Sequence, residues 1–156
     1  MDHRVLVTYA TRAGSTAEVA AAPRPVADVS DLSGYQAAVI GSPLHSGEWL
    51  PEALVFVARH QAALRQMPTA LFLLCMLDGT EETRRVKEAK LESVRHRLKP
   101  VAIGVFAGAM DYGKLPPIER LKAQTKGLPE GDFRDWEAIR RWAADLRPAL
   151  AAPQRR

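Results

Sequence analysis

Four nearly unbroken apolar runs mark this chain: Val5–Tyr9, Ala37–Ser42, Thr69–Met76 and Val101–Ala107. None alternates apolar with polar residues, so each reads as a strand of a parallel sheet covered on both faces. Elsewhere the apolar spacing becomes helical. Pro51–Gln66 opens with proline and places Leu54, Val57 and Ala58 on one side. Thr80–Lys99 has Thr80 as N-cap, Glu81 and Glu82 in the first turn, and Pro100 as its stop. Asp135–Leu146 spaces Trp136, Ile139, Trp142, Ala143 and Leu146 along one helix face, with Asp132 or Asp135 as cap and Pro148 following. Pro116–Lys126 has a helix start and a helix-length body.

This alternation predicts an α/β domain wound on both faces of a parallel sheet. Right-handed crossovers bring every strand C-terminus to one edge, and ligands of such sheets bind outside that edge. Four loops leave it: Ala10–Thr16, Pro43–Trp49, Leu77–Thr80 and Gly108–Lys114.

A length of 156 residues with 47% hydrophobic content fits one globular domain, placed at 1–148 with a flexible tail at 149–156. The one cysteine, Cys75, excludes an internal disulfide framework and a cysteine zinc site. That is compatible with a reducing cytoplasm. The opening Met-Asp-His-Arg predicts no secretory signal, and no apolar run approaches the ~20 residues of a membrane span. There are 22 Lys and Arg against 18 Asp and Glu, a net +4. Basic residues do not interleave with aromatic ones, so no nucleic-acid partner is expected. A solvated surface accounts for the excess. The alternative is peripheral contact of the Pro116–Lys126 helix and the basic tail with the negatively charged inner face of a membrane.

The first loop carries the clearest chemistry. Thr11, Arg12, Ala13, Gly14, Ser15 and Thr16 come after a strand and open into Ala17-Glu-Val-Ala20. Unpaired backbone N–H groups and the helix dipole at such a junction favour a phosphate. The loop has neither the Gly-Lys-Ser/Thr of a triphosphate site nor Gly-x-Gly-x-x-Gly, which disfavours a dinucleotide. An ordinary turn capped by Ser15 or Thr16 is the alternative.

In the second loop, Ser42, Pro43, Leu44, His45, Ser46 and Gly47 offer backbone against which a flat ring can lie. Stacking on His45 or Trp49 is open, as are packing for Trp49 and a polar lid position for His45. Met76, Leu77 and Asp78 supply a third set of backbone groups. Cys75 reads as a small core residue rather than a reactive thiol. In the fourth loop, Asp111, Tyr112 and Lys114 either flank a substrate or anchor the next segment. Gly41-Ser42-Pro43 is not a nucleophile elbow, and His3, His45, His60 and His96 show no metal-ligand spacing. An enzyme built this way needs a cofactor for its chemistry.

Four stretches resemble the flavodoxin-like FMN-binding family. They are Val5–Thr16, Val39–Gly47, Phe106–Leu115 and Pro129–Trp142. The last two resemble most the branch of menaquinone-dependent protoporphyrinogen oxidases. The resemblance implies a three-layer α/β sandwich with strand order 2-1-3-4-5. It implies that Thr11 to Thr16 wrap the FMN phosphate and that Ser42 to Gly47 line one side of the isoalloxazine ring. Met76 to Asp78 match the family's other ring loop by position. The implied activity is electron transfer through the flavin, from a tetrapyrrole precursor to a quinone or another redox partner. Arg12, His45 and Lys114 are the candidate cations near the ring. A two-component receiver is excluded, because Thr8-Tyr9-Ala10 stands where paired acids are needed.

The chain departs from the family after Ala20. Ala21-Ala-Pro23 interrupts where a relative continues its first helix and adds a second strand. About fifteen residues are missing by the length of an average helix and strand. The first helix is therefore expected to have at most about two turns. The second strand is expected to be lost or replaced by an irregular segment around Val26–Val29, leaving the first strand as an open edge. Weakened FMN binding, or a flavin-free interaction module, is the alternative function.

Overall fold

A computed structural model describes residues 4–11, 24–45 and 47–152. Its central sheet contains β1 (Val5–Tyr9), β2 (Arg24–Pro25), β3 (Ala37–His45), β5 (Thr69–Cys75) and β6 (Ala102–Ala107). These strands are parallel in the order β2-β1-β3-β5-β6. That is the 2-1-3-4-5 order expected of the family. The short β4 (Glu48–Trp49) folds back antiparallel on the end of β3. A separate ribbon joins β7 (Ala109–Met110) to β8 (Gly131–Asp132).

Because side chains alternate along a strand, β3 feeds two cores. Ala38 and Ile40 join Leu71 and Leu73 of β5 beneath α1 (Pro51–Leu64) and α3 (Glu92–Leu98). Ala37 and Val39 join Ala70, Phe72 and Leu74 on the opposite face, against α5 (Trp136–Ala151). The result is a three-layer sandwich. Gly41 is fixed by packing: a Cβ there would lie 1.9 Å from the Phe72 ring.

Several elements differ from the pattern read in the sequence. β3 runs three residues beyond Ser42, because β4 supplies partners in the pairs Leu44–Trp49 and His45–Glu48. The second strand is shortened rather than lost. Thr8 and Tyr9 pair with Arg24 and Pro25, and the buried Thr8 hydroxyl donates to the Arg24 carbonyl at 2.8 Å. The next segment is one 3-10 turn, Val26–Asp28, and Val26, Val29 and Leu32 are buried in the first core.

The span Thr80–Lys99 forms two helices, α2 (Glu81–Ala89) and α3. α2 buries none of its residues, whereas Leu91, Val94 and Leu98 are buried. Sinking Leu91 into the core bends a path that helix propensity would have kept straight. Val57 in α1 and Ile139 and Leu146 in α5 are buried as their spacing predicts, with Leu54, Trp136 and Trp142 packed beside them. Ala58 and Ala143 are exposed, and Ala53, Phe56 and Leu150 complete the buried faces. α5 passes through Pro148, since burial of Leu150 rewards continuing it.

Candidate functional site

The Ala10 N–H donates to the Gly41 carbonyl at 2.9 Å, which sets the start of the first loop beside β3. Thr11 is half-buried at the end of this path. Arg12, Ala13, Gly14, Ser15 and Thr16 lie outside the described residues, as does Ser46.

Ser42 is fully buried and works locally. Its Oγ accepts from the Leu50 N–H at 3.0 Å and donates to the Pro43 carbonyl at 2.9 Å. Leu50 is the N-cap of α1 and has no capping side chain; Ser42 satisfies the Leu50 N–H, the bond that the N3 side chain makes in a capping box. Beyond Ser42, Pro43, Leu44 and His45 are half-buried. Gly47 turns the hairpin at φ +81°, a left-handed conformation that favours glycine. Trp49 is buried within the first core, and its indole Nε1 has no hydrogen-bond partner. Packing, rather than stacking at the surface, is therefore its role.

Met76 and Leu77 are half-buried at the end of β5, and Leu77 packs on the first core. Asp78 is exposed but committed. It accepts from the Thr80 N–H at 2.9 Å and from the Thr80 hydroxyl at 2.7 Å, and Thr80 in turn caps α2 by accepting from the Thr83 N–H. Those bonds stabilise the carboxylate and hold the Asp78 pKa down at about 2. Burial pushes the Cys75 thiol up to about 11, which leaves it protonated and unreactive near neutral pH.

The fourth loop is an anchor for the helix beyond it. Asp111 accepts from the Gly113 N–H at 2.8 Å and caps the 3-10 turn Tyr112–Lys114. The Tyr112 hydroxyl donates to the Leu128 carbonyl, and its N–H donates to Glu130 at 2.9 Å. Arg120 donates from Nε to the Tyr112 carbonyl at 2.8 Å. These bonds hold α4 (Pro117–Thr125) across the strand ends.

Leu44, His45 and Met76 thereby meet Met110, Leu115 and α4 around one cavity of about 150 Å³. His45 Nε2 lies 3.2 Å from Glu119 Oε2, and Lys122 Nζ lies 3.9 Å from Glu119 Oε1. Glu119, Lys122 and Lys126 escaped sequence reasoning, because nothing in the spacing of a mixed helix says which loops it covers. Among the described residues no acidic, histidine and cysteine cluster could hold a metal. The apolar walls of Leu44, Met76, Met110 and Leu115 with a polar rim fit one side of a flat ring that carries hydrogen-bonding edges.

Fold and edge together define an α/β domain of the class whose ligands sit at the C-terminal ends of parallel strands. The flavodoxin domain family matches residues 6–132, and the chain belongs to that family. It is 28% identical over 149 residues to a protoporphyrinogen IX dehydrogenase (quinone) of Leishmania major, covering 83% of this chain and 64% of that one. The chain thus spans less than two thirds of that relative. It is 22% identical over 170 residues to the protein of the same name from Escherichia coli K12, covering 92% of this chain and 94% of the relative. A flavoprotein of Lactobacillus acidophilus NCFM, solved in complex with FMN, shares the fold. Its TM-score is 0.51 at 12% identity, covering 67% of this chain and 93% of that one.

Proposed function

We propose that this protein binds FMN at the C-terminal edge of its sheet and transfers electrons through it, as an oxidoreductase that passes electrons from a protoporphyrinogen-type donor to a quinone. The observation that carries this reading is the meeting of Leu44, His45 and Met76, from two separate strand ends, around one cavity in a flavodoxin-family chain. Bound FMN would supply the electron-carrying chemistry. The chain's own part is to bind and shield it. Thr11 to Thr16 would take the phosphate. The β3 end, with Leu44 and His45, and the β5 end, with Met76 and Leu77, would flank the ring. α4 would keep water from one side.

Titration with FMN, followed by desalting and a visible spectrum, tests the reading. Retained yellow flavin is expected, and a colourless protein would refute it. The Gly14→Val variant should abolish retention while the far-ultraviolet circular dichroism stays that of the wild type. Reduction of a quinone by the loaded protein, with a protoporphyrinogen-type donor, then tests the finer assignment.

The two-residue β2 favours a second reading, a flavodoxin-like module with weak or no flavin binding. The same titration separates the two. As to location, no helix among the described residues is long and apolar enough to cross a membrane. Peripheral contact from a cytoplasmic position completes the proposal. α4 exposes Ile118 and Leu121 beside Lys122, a composition suited to an anionic surface. Sedimentation with acidic vesicles checks it.

A further inference from the structure

α4 is a nine-residue helix whose one buried residue is Ala123, while Ile118 and Leu121 are exposed. So little apolar burial cannot by itself fix where a short helix lies. Polar contacts must contribute, and two reach neighbouring elements from adjacent residues. Arg120 holds the Tyr112 carbonyl, and Glu119 reaches His45 at the far end of β3. Among the described residues lining the cavity Glu119 is the one carboxylate; it approaches His45 and Lys122, and Lys126 lines the same cavity. Further out, Glu48 stands opposite His45 in the hairpin, and the Lys90 side chain approaches Gly47.

We propose that Glu119 is a positioning residue: through His45 it fixes α4 against the end of β3, and its charge offsets the cations around the cavity. Loss of Glu119 therefore loosens α4 and makes a bound flavin easier to reduce, since reduction adds negative charge beside uncompensated lysines. The second consequence rests on the FMN reading above; the first does not.

Glu119→Gln and His45→Gln, singly and together in the full chain, test it. Without flavin, amide exchange across residues 120–125 should quicken about two- to fivefold in either variant, the size expected for one partly exposed polar side-chain contact. The double variant should be no faster than the singles. With FMN bound, the midpoint potential should rise in Glu119→Gln, and fall or stay level in His45→Gln, which keeps the carboxylate. A helix that was merely loosened would shift both potentials the same way. Unchanged exchange in both single variants, or potentials that rise together, overturns the proposal. A wild type that retains no flavin sinks the FMN reading and the potential half of this proposal, while the exchange comparison still decides the tie to His45.

Discussion

Gly41 shows how a single position can be closed to every side chain but hydrogen. The Phe72 ring occupies the place where a Cβ would stand, and Phe72 is itself packed in the second core. Gly41→Ala should destabilise the protein by roughly 1–3 kcal/mol or more by overpacking, as urea denaturation would show. Adding Phe72→Leu should recover part of the loss, because the two residues share one space. Asp78 makes a prediction of another kind. Its folded-state pKa of about 2 lies below the ordinary carboxylate value, so the ionised form favours folding. That contribution is present above pH ~4 and is lost as pH falls toward ~2. Acid-range melting should show a decline in that window, and the part due to Asp78 should vanish in Asp78→Asn. At this scale the sequence was uneven. Thr80 as N-cap and Cys75 as a core residue were legible from local rules. The commitments of Ser42 and Trp49 were not, since each depends on a partner or a packing surface brought in by the fold.

Among the elements, β2 is the informative case. Two residues pair with β1, and the Thr8 hydroxyl bond to the Arg24 carbonyl reinforces them. Thr8→Val keeps the volume but removes that bond. It should cost about 1 kcal/mol and speed amide exchange at Arg24, leaving the β1–β3 ladder protected. An apolar run announces a strand by its length and burial, so β1, β3, β5 and β6 were readable. A two-residue strand has no periodicity to read, and it exists only because β1 offers a ladder. The break between α2 and α3 was hidden for a related reason. Nothing near Lys90 is a helix breaker, and only the pull of Leu91 into the core reveals it. Pro148 misled in the opposite sense, being a local stop signal overridden by the burial of Leu150.

For the molecule as a whole, the expected consequence of the FMN reading is linkage. A ligand that binds only the folded state stabilises it by ~2.7 kcal/mol at one hundred times its dissociation constant. Excess FMN should therefore raise the thermal midpoint in a concentration-dependent way, and riboflavin, which lacks the phosphate, should raise it less. Equal shifts from the two would place the binding energy away from the Thr11–Thr16 loop. The sequence by itself determined the layer architecture, the parallel strand order implied by its family resemblance, and the edge at which a ligand would sit. The layers and the edge come from local periodicity and chain chirality, which every segment carries within itself, whereas the strand order came only from the resemblance. Only the tertiary structure decided that β2 survives in miniature, that Trp49 lies in the core, and that Glu119 of α4 meets His45 across the strand ends. Those outcomes are settled by contacts between segments far apart in the chain, where burial and pairing outweigh the preference of any one stretch.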